Sequence, residues 1–398
     1  VQLFFDEATE AFRLELTTWF KANAPTAQQT QPRSGSTADL PAWARDWQRR
    51  QFEAGWLVPG NPPEFGGRDA SLLEQFVHRE ELAHLNIASS FNPQGLGIIA
   101  PSLLVFGTPE QKQRWAVPLL RGDISAALGM SEPEAGSDLG GLRTRAELRD
   151  GHFIINGQKV WTSGAHDADI MLVFVRTDPD APKHKGLSCL IVPTDTPGVT
   201  RRPFGSIIGP DDLDFNEVYL DDVAVPEENL LGPQNGGWQV ANGSLGHERA
   251  MMWLDIYAHQ LSFLEVAAEA LRRDPALLAD DRVVDDYANA AIDSQALRLL
   301  GMRTLAKLRR GHSSNEQSIL KLFGAEAVRR MHGQALDWLG PLALDDSVEV
   351  GTAEHLQLDA YRVSWIGHYL RTFAGTIAGG TSEIQRNIIA ERVLGLPR

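Results

Sequence analysis

Between residues 126 and 238 the chain changes texture, and that change limits its possible folds more than any other feature. HFIINGQKVW, ADIMLVFVRT, GLSCLIVPTD and FNEVYLDDVAVP are short runs rich in Val, Ile, Phe and Leu. The turn sequences DGH, NGQ, DPDAPKHKG and TPG punctuate them. This pattern predicts an all-β block, a small barrel or sandwich. The flanks carry a helical period instead. DEATEAFRLELTTWFKANAP sets Phe12, Leu14, Leu16, Trp19 and Phe20 near helical spacing and stops at Pro25. SLLEQFVHREELAHL and TPEQKQRWAVPLL are two further helices, the second with Thr108 as a cap and Pro109 at its first position. QFEAGWLVPGNPPEFGG between them reads as loop. After the β block come QLSFLEVAAEALRR, DYANAAIDSQALRLLGMRTLAKLRR, NEQSILKLFGAEAVRRMHGQALDWL and TSEIQRNIIAERVL, which read as an up-down bundle. The expected fold is α+β and multidomain: a helical domain over 1–125, a β-barrel or sandwich domain over 126–238 and a helical bundle over 239–398.

A chain of 398 residues suits two or three domains. At this size folding buries roughly three quarters of the unfolded surface, so no staples are needed. The one cysteine, Cys189, excludes a disulfide framework and a Cys-based zinc cluster, which points to a reducing compartment, the cytoplasm. VQLFFDEATEAF has no basic segment followed by a long apolar core, and no run is long enough to span a membrane. A net charge of −15 argues against broad nucleic-acid binding but leaves room for a small anion held by local groups.

Several short motifs have both a chemical and a structural reading. Gly95 to Ala100 reads GLGIIA and fits the dinucleotide pattern GxGxxA, but it follows a loop, not a strand. Glu81 and His84 form one ExxH unit. A di-iron bundle needs two such units, so a solvated helical face is the expected reading and no metal site is expected. MSEPEAGSDLGGLRT clusters Ser131, Ser137 and free backbone N–H groups. It is either a polar cofactor or phosphate site or a capped surface loop. QKVWTSGA puts Trp161 beside Thr162 and Ser163, which suits a planar heteroaromatic ring or a core indole with a solvated turn. TIAGGTSEIQRNII is a Gly-rich turn entering a helix. Gly379 and Gly380 permit close backbone approach, and Thr381 or Ser382 can cap a helix start that suits pyrophosphate.

Taken together, AGWLVPGNPPEFGG, GTPEQKQRWAVPLLRGD, MSEPEAGSDL, NGQKVWTSGA, FNEVYLDDVAVPEENLLG, GHER and AGGTSEIQR, in this order, resemble the acyl-CoA dehydrogenase family across essentially the whole chain. The resemblance implies an N-terminal helical domain, a middle β-barrel and a C-terminal four-helix bundle. It implies FAD and oxidation of an acyl-CoA thioester to the trans-2-enoyl form, with electrons passing to an electron-transferring flavoprotein. By resemblance Met130, Ser131, Trp161 and Ser163 contact the flavin, and Thr381 and Glu383 lie near its ribityl or pyrophosphate part. Ser137, Arg249 and Gly379 lie on the substrate side.

Two departures sharpen this reading. Many members carry the catalytic glutamate directly before the last GTS, where this chain has Gly379. A smaller branch, resembling isovaleryl-CoA, long-chain and some steroid side-chain dehydrogenases, puts the base on the helix after the β domain. That position corresponds to Glu248 in SLGHERAMMW. On a helix its neighbours are Leu245, Met251 and Met252, an apolar surface that raises a carboxylate's pKa. The second departure lies in the bundle. The family's Arg-x-x-Phe-Gly segment has no counterpart around RRDPALLADDRVVDDYANA, and the Gln-x-x-Gly-Gly segment reads Asp337-Trp338-Leu339-Gly340-Pro341. The resemblance gives these elements to the neighbouring subunit's FAD site. Their loss implies a homologous partner in an α2β2 heterotetramer; the other assemblies are a homodimer or homotetramer. The competing functions are a flavin oxidase or acyl-carrier-protein dehydrogenase on the same fold, and a silent subunit that completes its partner's site.

Overall fold

A computed structural model describes the chain apart from residues 1–4, 27–28, 30–35, 86, 88–90, 210–212, 311–316, 346–363 and 398, and apart from the side chains of 244–252 and 309. Two compact units emerge. One comprises 28–68 and 90–248; the other comprises 1–27, 69–89 and 249–398. The long helix Gly237–Arg273 contributes to both, changing unit between Glu248 and Arg249.

The first unit is built on one seven-stranded sheet, so the β block is not two stacked sheets. Its strands are β1 (Ala126–Gly129), β2 (Arg145–Arg149), β3 (His152–Lys159), β4 (Ile170–Arg176), β5 (Leu187–Pro193), β6 (Val199–Phe204) and β7 (Phe215–Pro226). β5 pairs antiparallel with β4, β4 pairs in parallel with β1 and at its end with β2, and the sheet continues through β3, β7 and β6. β2 and β3 are joined by Asp150 at φ 50° and Gly151 at φ 74°, the left-handed pair that a tight hairpin requires.

β4 is apolar from Ile170 to Val175, as suits a strand with both faces buried, and ends in Arg176. Ile170, Leu172 and Phe174 join Leu96, Ile99, Leu103 and Leu119 from the helices in one core. Met171, Val173 and Val175 face Phe153, Ile155, Val218 and Val223 in another. This second core is enclosed by strands drawn from most of the sheet, so the sheet wraps around itself like a half-barrel. The GLGIIA segment is a π-helical turn, Gly95–Ile99, leading into the helix Ala100–Phe106, and no strand precedes it among the described residues. That context excludes a dinucleotide fold. Thr108 caps the next helix as a full capping box with Gln111.

The second unit is helical. Glu7–Asn23 is capped by Asp6, and Leu72–His84 by Ser71 with Glu74. Gly237–Arg273, Asp281–Arg309, Gln317–Leu339 and Trp365–Ile377 share a core of Phe263, Ala267, Ala290, Met331, Ala335 and Trp365, which makes the four-helix bundle. Glu81 of the ExxH unit is ion-paired with Arg13 at 2.9 Å and only 16 % exposed. This is a packed helix–helix contact and corrects the expectation of a solvated face for Glu81, whereas His84 is exposed. None of the described helices is long and apolar enough to cross a membrane.

A histidine cluster lies in the bundle. His332 donates from Nδ1 to the Val328 carbonyl (2.9 Å), and its Nε2 meets His259 Nε2 at 3.3 Å. Burial, then the neighbouring His259 and His368, push its pKa well below the ordinary 6.5. Below that value the unfolded chain takes up a proton that the folded bundle refuses. The stability linked to His332 is therefore present above pH 6.5 and lost as pH falls through it. Thermal unfolding followed from about pH 7.5 to 5.5 should show Tm falling with acidification, and His332→Leu should flatten that slope.

Candidate active site

β1 ends at Gly129, and the chain emerges as Met130 and Ser131. Val160 N–H donates to the Ser131 carbonyl at 3.0 Å, and Lys159 Nζ donates to the Met130 carbonyl at 3.3 Å. The chain continues from Val160 directly into Trp161, Thr162 and Ser163. Met130, Ser131, Trp161 and Ser163 are thereby brought together where the chain leaves β1 and β3. Met130, Ser131 and Ser163 are half-buried, whereas the indole of Trp161 is 59 % exposed. Its ring sits edge-on against Phe204 (5.3 Å) and Phe215 (5.5 Å). Its backbone has φ 60°, a conformation that costs a non-glycine residue roughly 1–3 kcal/mol and recurs at ligand sites.

Thr162 is fully buried. Its N–H bonds the Asn216 carbonyl at 3.2 Å, and Asn216 Nδ2 returns a bond to its carbonyl at 3.1 Å. Its own Oγ1 is buried without a hydrogen-bond partner among the described residues. A buried polar atom of this kind costs about 1–3 kcal/mol unless something satisfies it. An orphan hydroxyl, two half-buried serines and an exposed indole fit a heteroaromatic cofactor rich in nitrogen and oxygen.

Beneath this group lies a buried ion pair. Lys159 Nζ is 2.7 Å from Glu132 Oε1, with the side chains 0 % and 7 % exposed. Glu132 also accepts from the N–H groups of Arg143 (2.6 Å) and Thr144 (2.9 Å). Burial opposes ionisation of Glu132, but Lys159 and these donors outweigh it and hold the carboxyl below its usual range. Burial pulls Lys159 down to about 8, against the attraction of Glu132. The pair fixes Met130 and the start of the MSEPEAGSD loop. Ser137 is exposed farther along that loop, which Arg176 anchors through the carbonyls of Gly140 (2.7 Å) and Leu142 (3.2 Å).

The AGGTS turn belongs to the helical unit. Gly379 and Gly380 have φ 66° and 99°, in the left-handed region that favours glycine. Lys321, almost fully buried, donates to the Gly380 carbonyl at 2.7 Å, and Gln385 Nε2 donates to the Gly379 carbonyl at 3.0 Å. Thr381 is the cap of Ser382–Ile388, its Oγ1 accepting from Ile384 N–H at 3.2 Å. Glu383 is exposed and paired with Arg386. Gly379 and Thr381 thus share one turn and Glu383 sits on the helix it enters, all in the unit other than the one that holds the Met130–Ser163 group.

Glu248 and Arg249 lie on the helix Gly237–Arg273, as the helical spacing argument requires; their side chains are outside the described residues. One turn on, Trp253 and Leu254 are buried, and Trp253 stacks on Phe76 at 5.9 Å. Among the described residues no group of three or more His, Cys, Asp or Glu could hold a metal ion.

The sequence reading missed Lys159, Glu132, Lys321 and Asn216. One signal was available for Lys159: the period of β3 places Phe153 and Ile155 inward, and the buried alternation ends on Lys159. Nothing local marks Lys321, since its partner is a carbonyl far along the chain.

Three family models match in succession: the acyl-CoA dehydrogenase N-terminal domain over residues 6–123, middle domain over 127–223 and C-terminal domain over 235–394. The chain is 38 % identical over 368 residues to the acyl-CoA dehydrogenase IpdE1 of Mycobacterium tuberculosis, covering 89 % of this chain and 88 % of that protein. It is 32 % identical to the acyl-CoA dehydrogenase FadE26 of Mycobacterium tuberculosis, covering 86 % of each. Among solved structures it resembles the Tcur3481-Tcur3483 steroid ACAD (TM-score 0.84, 29 % identity, all of both chains). It also resembles the ChsE4-ChsE5 complex from Mycobacterium tuberculosis (TM-score 0.80, 28 % identity, all of both chains).

Proposed function

The chain belongs to the acyl-CoA dehydrogenase family, and on that premise we propose that it oxidises the α,β bond of a bulky or branched acyl-CoA, such as one bearing a steroid side chain, with Glu248 as base. The observation that carries this reading is the Gly379 turn. The position that holds the base in many relatives here lacks a side chain and has φ 66°, so that turn supplies no carboxylate. The helix Gly237–Arg273 carries the alternative acid.

Met130, Ser131, Trp161 and Ser163 would hold the ring system of FAD, with Thr381 and Glu383 toward its ribityl or pyrophosphate part. When bound, FAD supplies the acceptor for the hydrogen that leaves the β carbon as hydride. Glu248 takes the α proton, the part a positioned general base plays for a weak carbon acid. Ser137 and Arg249 hold the CoA-bearing substrate. Without a side chain at 379, that wall leaves room for a wide acyl group. An electron-transferring flavoprotein takes the electrons.

The Asp337–Pro341 segment lacks the family's Gln and its second Gly, and Gly340–Leu344 forms a short 3-10 turn there. We therefore assign the chain to an α2β2 assembly in which a homologous subunit completes the FAD site. The names of the Tcur3481-Tcur3483 and ChsE4-ChsE5 structures, each of two proteins, support this assignment. The test is to purify the chain alone and with a related subunit, then measure FAD content and turnover on ring-bearing and short straight acyl-CoAs. The reading expects full FAD and turnover only with the partner, and preference for the ring-bearing ester. Full loading and activity of the lone chain would remove the partner. Preference for short straight esters would remove the bulky substrate, and peroxide release with oxygen uptake would make the protein an oxidase.

A further inference from the structure

Trp161 has φ 60°, and a strained backbone of this kind persists only where its surroundings over-determine it. The chain that follows, Thr162 to Asp167, is held by a polar array distinct from the residues assigned to the flavin. Every member of the array lies in the unit that contains the sheet. Asn216, fully buried on β7, grips Thr162 by both main-chain groups: its carbonyl accepts the Thr162 N–H at 3.2 Å, and its Nδ2 donates to the Thr162 carbonyl at 3.1 Å. The same Nδ2 lies 3.0 Å from the Asp214 carbonyl, which also accepts the Gly164 N–H at 2.7 Å. Gly164 has φ 66°, and a Cβ there would lie 2.6 Å from Ala38 Cβ, so the turn is pressed against the segment that holds Ala38.

His166 closes the array. Its Nδ1 is 3.1 Å from Asn216 Oδ1 and 3.0 Å from Asn216 Nδ2, and its Nε2 is 3.1 Å from Asp167 Oδ2. Asp167 Oδ2 in turn accepts from Ser36 Oγ at 2.7 Å. From β6, Arg201 Nη1 donates to the carbonyls of Ala165 (3.2 Å) and His166 (3.1 Å).

The number of available hydrogens sets the part the ring plays. An amide nitrogen carries two, and Asn216 Nδ2 has three neighbours that could accept them: two carbonyls and His166 Nδ1. A bare Nδ1 draws a hydrogen away from one of the carbonyls. An Nδ1 that carries a hydrogen donates to Asn216 Oδ1 instead, and both amide hydrogens stay on the Thr162 and Asp214 carbonyls. Nε2 faces a carboxylate and needs a hydrogen as well. The doubly protonated ring therefore satisfies every partner at once, and either neutral tautomer leaves one contact unmade.

We propose that His166 is a positioning residue for the flavin site: through Asn216 it locks the Thr162 carbonyl and so fixes the turn that presents Trp161 and Ser163. The inference rests on the reading that Trp161 and Ser163 hold the ring system of FAD.

The assembled protein, stripped of FAD and titrated with it, gives the dissociation constant from the quenching of flavin fluorescence. His166→Ala should weaken FAD binding by at least about 10-fold, and Asn216→Ala to a similar degree. Because the two residues act through one contact, the double variant should bind no more weakly than the weaker single variant. The His166 side chain is 23 % exposed, so a small solute can reach the hole its loss leaves. Added imidazole should restore FAD affinity in His166→Ala and not in Asn216→Ala, a selectivity that a general loss of structure would not show. Trp161→Ala and Ser163→Ala test the underlying reading. If both leave FAD affinity unchanged, that reading fails and the inference with it. If they weaken it while His166→Ala binds FAD as wild type does, the inference alone fails. Full additivity of His166→Ala and Asn216→Ala would also overturn it, as would imidazole without effect on His166→Ala.

Discussion

Glu248→Gln should lower turnover by about 10²–10⁴-fold while leaving FAD content and ligand binding intact. The substitution keeps size and hydrogen-bonding capacity and removes only the ability to take a proton at the working pH. The effect should be this large because no second acid is available at the turn where relatives keep theirs: Gly379 has no side chain, and its backbone lies in the region glycine prefers. Gly379→Glu added to Glu248→Gln should recover little. A glutamate there must adopt φ near 66°, and the buried Lys321 and Gln385 hold the turn through its two glycine carbonyls. Steady-state kinetics alongside a binding titration of an unreactive acyl-CoA analogue separates the two effects: kcat should fall and ligand affinity should not.

Lys159→Met should destabilise the β unit by roughly 3–5 kcal/mol, the usual consequence of leaving one member of a buried ion pair without its partner. Glu132 would keep two backbone donors but lose the charge that offsets its burial. Replacing both partners in Lys159→Met/Glu132→Gln should recover about half of the loss, since neither site then holds a buried charge. Urea unfolding of the three variants measures this directly. Because Lys159 also bonds the Met130 carbonyl, the double variant should bind FAD more weakly than wild type even where it is folded. Equal stability of Lys159→Met and wild type would show that the pair contributes nothing.

What the sequence made legible was local. The run ADIMLVFVRT announced a strand, and β4 lies there; that both its faces are buried became visible only in the structure. Asp150-Gly151-His152 announced a turn, which the structure makes a tight hairpin, and Thr108 announced a cap. The helices Ala42–Glu53 and Trp365–Ile377 were not anticipated. The first carries charged residues through most of its length, and the second follows a stretch with no clear period. The grouping of Leu72–His84 with the C-terminal bundle was invisible too. It rests on Phe76 against Trp253 and on Glu80 with Arg298 at 3.0 Å, pairs separated by well over a hundred residues. The same limit applies at the site. Met130, Ser131, Trp161 and Ser163 were named together by resemblance and lie near one another in the structure, whereas the Lys159–Glu132 pair beneath them depends on strand pairing that composition does not reveal.

The most direct test of the central claim is a single half-reaction. The FAD-loaded assembly is mixed without oxygen with a ring-bearing acyl-CoA, and flavin absorbance is followed while the product is weighed by mass spectrometry. The account predicts bleaching of the flavin in wild type, a product lighter by two hydrogens with a trans double bond between the α and β carbons, and bleaching slowed by about 10²–10⁴-fold in Glu248→Gln. A flavin that bleaches as fast in Glu248→Gln as in wild type, or that stays oxidised with every acyl-CoA offered, would contradict it.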